Sequence, residues 1–123
     1  MLQNTLSIIK QNILNNKLTP NKADIFIKLL SRYDNKRNKY IYPGVIIRHL
    51  GITMREAYLI LNEIEQLKII EKVYEVFCPK CKYSTGNIYN SISEIPDEYN
   101  CDECETEFQT LDGVIILYKV ITE

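Results

Sequence analysis

Histidine is almost absent from this chain: of 123 residues only His49 is one, and no cysteine or second histidine stands at ligand spacing from it. A histidine-built metal site is therefore excluded, and His49 reads as a packing or surface residue. There is no Gly-rich phosphate loop and no nucleophile elbow, so nothing supports a phosphate-cradling or serine-hydrolase reading. A Ser-His-Asp set is not ruled out by sequence alone, but a nuclease or other hydrolase has no supporting constellation. The carboxylates Glu94, Asp97 and Glu98 read as a solvated loop rather than an acid–base pair. Long apolar runs are missing as well. Residues 1–14 are broken by Gln3, Asn4, Lys10, Gln11 and Asn12, too polar for a signal peptide and too short for a membrane span. The expectation is a protein of the reducing cytoplasm with no membrane partner. Neither an internal repeat nor a low-complexity tract is present.

What is there begins with cysteine. The chain has four, in two identical spacings, Cys78-Pro79-Lys80-Cys81 and Cys101-Asp102-Glu103-Cys104. Two residues between cysteines let one tight turn present both sulfurs to one ion, and two such turns complete a tetrahedron. The spacing predicts one structural Zn²⁺ held by Cys78, Cys81, Cys101 and Cys104. A redox dithiol needs one such pair near a βαβ pattern, which is absent. Two structural disulfides fit poorly with a chain carrying no mark of secretion. Four thiolates fill the shell, whereas a catalytic zinc keeps a position open for water. The metal is expected to staple a segment too small to fold on its own core.

The remaining composition, 46% hydrophobic and 25% charged, is that of a soluble globular chain rather than a disordered one, and the helices and strands read below make the expected fold α+β. The net charge of −1 hides a division. Residues 1–75 carry twelve Lys and Arg against seven Asp and Glu, and residues 76–123 carry three against nine. The basic part suits nucleic acid and the acidic part does not. Two domains are expected on this basis: 1–75, helical, and 76–123, the cysteine segment with a closing strand.

Leu2, Leu6, Ile9 and Ile13 make an apolar stripe on a first helix, either core or a dimer seam, ended by Asn15 and Asn16. Asn21 reads as the cap of a second helix over 22–33, with Ala23, Phe26, Ile27 and Leu30 facing inward. Tyr40–Tyr42 suits a short strand, and Pro43 opens a short helix ending at Gly51. Thr53 and Glu56 have capping-box spacing at the head of a longer helix over 54–68, with Ala57, Ile60, Leu61, Ile64 and Leu67 buried. Strands are expected over 69–77 and 113–122, the second nearly continuous in apolar residues.

A short helix, the turn His49-Leu50-Gly51-Ile52-Thr53, a longer helix and strands resemble, in that order, a winged helix-turn-helix domain. The segment VYEVFCPKCKYSTG…YNCDECETEF resembles a zinc ribbon, covering residues 74–108. Lys82 and Glu105 depart from the glycine that often follows the second cysteine of a ribbon knuckle, which weakens the ideal knuckle geometry. Winged helix followed by zinc ribbon is similar to the archaeal transcription factor E and TFIIE-alpha group. That resemblance implies a non-catalytic role beside RNA polymerase or promoter DNA. Because strands flank the ribbon, it is read either as a second domain or as an insertion at the wing.

The leading function is accordingly DNA-associated transcriptional regulation. Arg55 and Asn62 would reach base edges, and Arg32, Lys36, Arg37 and Lys39 would touch phosphates. Against this, Glu56, Glu63 and Glu65 share the longer helix and oppose phosphate. The alternative is a protein-interaction adaptor in a multi-protein assembly, docking through the acidic ribbon and the surface at Tyr58 and Leu59.

Overall fold

The computed structural model describes residues 1–14 and 18–122, apart from the Leu14 side chain. Asn15 and Asn16, expected to end the first helix, lie outside the described residues. The fold is mixed α+β. Four helices come first, α1 (Gln3–Leu14), α2 (Pro20–Leu30), α3 (Pro43–Leu50) and α4 (Met54–Gln66), with the short strand β1 (Tyr40–Ile41) before α3. Then follow β2 (Ile70–Phe77), β3 (Ser84–Tyr89), β4 (Glu98–Asn100), β5 (Glu107–Gln109) and β6 (Val114–Val120). An antiparallel sheet takes the order β1-β6-β2-β3, and β4 and β5 form a separate hairpin. No described helix is long and apolar enough to cross a membrane.

The chain divides into two compact units, Met1–Glu71 with Tyr118–Glu123, and Lys72–Leu117. In the first unit the helical stripes become a core. Leu6, Ile9 and Ile13 of α1 are buried, as are Ala23, Phe26, Leu29 and Leu30 of α2 and Ala57, Ile60, Leu61 and Ile64 of α4. Three members of the α1 stripe are thus core rather than a dimer seam. Leu2 is 61% exposed because the helix begins only at Gln3. The second helix starts earlier than its polar pattern suggests. Thr19, not Asn21, is the cap, its hydroxyl accepting from the Lys22 amide at 3.3 Å. Pro20 takes the first helical position, where a missing N–H costs nothing and φ is already helical.

Gly51 ends α3 in a left-handed conformation (φ 64°), its N–H donating to the Ile47 carbonyl at 2.9 Å. Both halves of the α4 capping box form: the Glu56 amide donates to the Thr53 hydroxyl, and the Thr53 amide to the Glu56 carboxylate, each at 3.1 Å. The helix stops at Gln66, two residues short of the expected end. β1 pairs antiparallel with β6, Tyr40 opposite Lys119 and Ile41 opposite Tyr118.

The second unit is organised by β2 and β3, paired with a register shift between Glu75 and Phe77. β4 and β5 pair with Tyr99 opposite Phe108. These rings stack, with centroids 6.1 Å apart and planes 21° from parallel. Its small core consists of Val76, Phe108, Cys78 and Cys101, flanked by Tyr89, Ile95, Tyr99 and Val114. So few apolar side chains bury little area, and the cysteines form part of the core itself.

Candidate metal centre

Two turns of the same construction carry the cysteines. In the first, the Lys82 amide donates to the Cys78 carbonyl and the Cys78 amide to the Tyr83 carbonyl, each at 2.9 Å. In the second, the Glu105 amide donates to the Cys101 carbonyl and the Cys101 amide to the Thr106 carbonyl, again at 2.9 Å. The turn closes only if the residue after the second cysteine is left-handed. Lys82 (φ 67°) and Glu105 (φ 59°) adopt that conformation despite having side chains. Their departure from glycine therefore leaves every knuckle hydrogen bond in place.

The turns bring all four thiols together. Their sulfurs lie within 4.8 Å of one another, which fits a metal-binding cluster. Cys78 Sγ is 3.6 Å from Cys104 Sγ, and Cys81 Sγ is 3.5 Å from Cys101 Sγ. A disulfide would need sulfurs at about 2 Å. Tetrahedral thiolates at zinc sit about 3.8 Å apart. Cys78 and Cys101 are buried, while Cys81 and Cys104 are half-exposed.

Hydrogen bonding and burial move individual thiols in opposite directions. The Thr106 hydroxyl, 3.2 Å from Cys104 Sγ, and the Thr106 amide hold the Cys104 thiol down at about 6. The Cys81 amide, 3.5 Å from Cys78 Sγ, lowers Cys78. Cys81 is pulled down by the Tyr83 amide, yet burial and the three facing cysteines outweigh that and push it up to about 12. Four crowded thiols cannot all ionise without a cation among them, and a divalent ion removes that repulsion.

A glycine fixes the neighbouring strand. A Cβ on Gly113 would lie 1.8 Å from the Phe77 carbonyl oxygen, so only glycine fits where the 3₁₀ turn Thr110–Gly113 passes β2.

The nucleic-acid candidates sit on two elements of the first unit. Arg32, Lys36, Arg37 and Lys39 come together in the loop after α2, and all but Lys39 are exposed. Asp34 organises that loop: its Oδ1 accepts from the amides of Lys36 (2.8 Å), Arg37 (2.7 Å) and Asn38 (3.2 Å). Those amides lower the Asp34 pKa. Asn38 also donates to the Arg32 carbonyl at 3.0 Å, and the Lys39 ammonium lies 5.5 Å from the Tyr40 ring centroid. Arg55 is exposed in the first turn of α4. Asn62, on the same helix, is half-buried, and its Oδ1 accepts from the buried Tyr118 hydroxyl at 2.7 Å. Thr106 and Asp34 are the functional positions that motif reading passes over. Asp34 carried a signal, because Asp before Asn-Lys-Arg-Asn suits a side chain that caps its own following amides. Thr106 carried none. Comparison with family models, curated proteins and solved structures gives no match.

Proposed function

We propose that the protein is a non-catalytic, zinc-stapled, DNA-associated factor. In this reading Cys78, Cys81, Cys101 and Cys104 hold one Zn²⁺, and the first unit meets nucleic acid in the manner of a winged helix. Soft thiolate donors at tetrahedral separation suit zinc, and a filled shell gives the ion a folding role rather than a chemical one. The order of α3, turn, α4 and strands is what the winged-helix reading rests on, and the likeness to the transcription factor E and TFIIE-alpha group is one of element order alone.

One observation carries the DNA reading: basic charge segregates with the fold. Residues 1–71 and 118–123 hold twelve Lys and Arg against seven Asp and Glu, while residues 72–117 hold three against nine. Four of those cations are displayed by one loop whose backbone Asp34 ties down. Because Asp34 grips the amides of Lys36 and Arg37, exchanging their side chains removes charge without loosening the loop. Lys36→Ala/Arg37→Ala is therefore the clean test, read by fluorescence anisotropy of labelled duplex DNA across a salt titration. The expected result is micromolar or tighter binding that decays with salt and weakens in the variant, with a salt slope shallower by about two. An absence of binding at low salt would reject the DNA reading. Metal content by mass spectrometry should give about one zinc per chain, lost on Cys81→Ser.

A second reading, a protein-docking adaptor, is favoured by Met54 and Leu59, both exposed on α4. Asn62 is half-buried and its Oδ1 already accepts from Tyr118, which makes it a weaker candidate for a base contact than Arg55.

A further inference from the structure

The second unit has two adjoining clefts, of about 670 and 600 Å³, that share Glu98, Gln109 and Asp112 in their walls. Together they form one groove across the β4–β5 hairpin and the 3₁₀ turn that follows it. Its walls are tied to each other: the Thr110 amide donates to the Asp97 carbonyl at 3.0 Å. Gly113, pressed against the Phe77 carbonyl, holds the base of the turn. Leu111, 71% exposed, and Ile92, 57% exposed, are thereby held open to solvent on fixed backbone. Large aliphatic side chains displayed in this way gain by burial against a partner.

The charge around them has one sign. Asp97, Glu98, Glu107 and Asp112 line the groove, and no lysine or arginine does. Among the described residues no salt bridge is seen to any of the four. This acidity extends beyond the groove, because residues 72–117 hold nine acidic side chains against three basic ones. Four thiolates around one Zn²⁺ would add about two further negative charges. Such a surface repels nucleic acid and draws cations toward it. An inorganic cation would leave Leu111 and Ile92 in water. A segment with both cationic and apolar side chains satisfies both features.

We propose that this groove is a docking site for a basic peptide segment of a partner protein, with at least one aliphatic or aromatic side chain seated between Leu111 and Ile92 and flanking Lys or Arg side chains on Glu98 and Asp112. The site gives the adaptor reading a location and a partner chemistry, and it does not depend on what the first unit binds.

The test is selection of random peptides of about ten residues, roughly 33 Å long when extended, on the zinc-loaded protein. Glu98→Lys/Asp112→Lys and Leu111→Ser serve as counter-targets. All three positions are exposed, and zinc content and melting temperature report whether each variant is folded. Enriched peptides should carry Lys or Arg beside an apolar residue and lose affinity as salt rises. Affinity should fall about tenfold or more on the charge-reversed variant and about fivefold on Leu111→Ser. The proposal is overturned if no peptide enriches, if the enriched peptides lack basic residues, or if they bind both variants as tightly as the parent. Loss of DNA binding by Lys36→Ala/Arg37→Ala leaves these readouts unchanged, so the two proposals fail separately.

Discussion

Tyr118 donates its hydroxyl to the Asn62 side-chain carbonyl across 2.7 Å, joining β6 to α4 inside the first unit. Tyr118 is fully buried, and its ring lies 6.4 Å from that of Tyr58. A buried hydroxyl that loses its acceptor keeps the whole cost of leaving water.

Asn62→Ala should therefore destabilise the first unit by about 1–3 kcal/mol, and Tyr118→Phe, which removes the buried donor instead, by about 0.5–1.5 kcal/mol. The double variant should cost less than the two losses added together, because they share one bond. Guanidinium unfolding of the four proteins checks this, and additive losses would show that the bond contributes little. It also makes Asn62→Ala a poor probe of DNA contact.

Left-handed backbone at Lys82 and Glu105 is strained for any residue with a Cβ. Replacing either by glycine relieves that strain but adds freedom to the unfolded chain, for a net gain of about 0.5–1 kcal/mol. Glu105→Gly should gain more, since it also removes an anion beside the thiolates, whereas Lys82→Gly removes a cation. The guanidinium concentration at half-release of metal reports the order. Lower resistance in both variants would refute the argument.

Thr106 keeps the Cys104 thiol at about 6 by hydrogen bonding to its charged form. Metal binding requires the thiolate, so affinity falls as acid is added. Thr106→Val removes the hydroxyl, raises the Cys104 pKa and should move the pH of half-release upward. A chromogenic chelator follows the release, and an unchanged midpoint would show the hydroxyl to be idle. In the metal-free chain the sign is the same. A depressed thiol stabilises the folded form above the ordinary thiol range, and that contribution disappears as pH falls through about 6.

Asp34 accepts from three amides, and its carboxyl is held below the ordinary carboxylate range. The loop order it confers should persist above that range and be lost as pH falls through the lowered value. Asp34→Ala should speed amide exchange at Lys36, Arg37 and Asn38, while Asp34→Asn, which keeps an acceptor oxygen, should retain part of the protection. Hydrogen exchange by NMR distinguishes the two. Equal exchange in all three proteins would show that the loop is held by other contacts.

Local punctuation made much of the architecture readable in advance. Pro43, Gly51 and the Thr53–Glu56 pair set the bounds of α3 and the start of α4, because each acts within a few residues of itself. The cysteine spacing set each pair of thiols in its own turn for the same reason, while the meeting of the two turns, Cys78 with Cys104 across 26 residues, is a long-range contact. What stayed hidden depends on contacts distant in sequence or on backbone angles. Asn62 looks like an exposed polar residue until β6 returns, some 56 residues later, to supply the hydroxyl of Tyr118. Asn21 and Thr19 are both reasonable caps, and the choice lies in Pro20, whose ring suits the first helical turn. Lys82 and Glu105 show that a turn with enough hydrogen bonds imposes positive φ on residues that resist it.

The first unit is assembled from chain segments on either side of the second, with Ile69 accepting backbone hydrogen bonds from Ile121 and Thr122. During synthesis the ribosome must therefore deliver the whole cysteine segment before β6 can complete the helical unit. If that segment is still unstructured, closing the loop costs on the order of 3 kcal/mol in chain entropy. Once ordered, it becomes a short connector, and much of that cost is gone. Loading of the thiol cluster would then set the pace at which a separate part of the molecule reaches its native state.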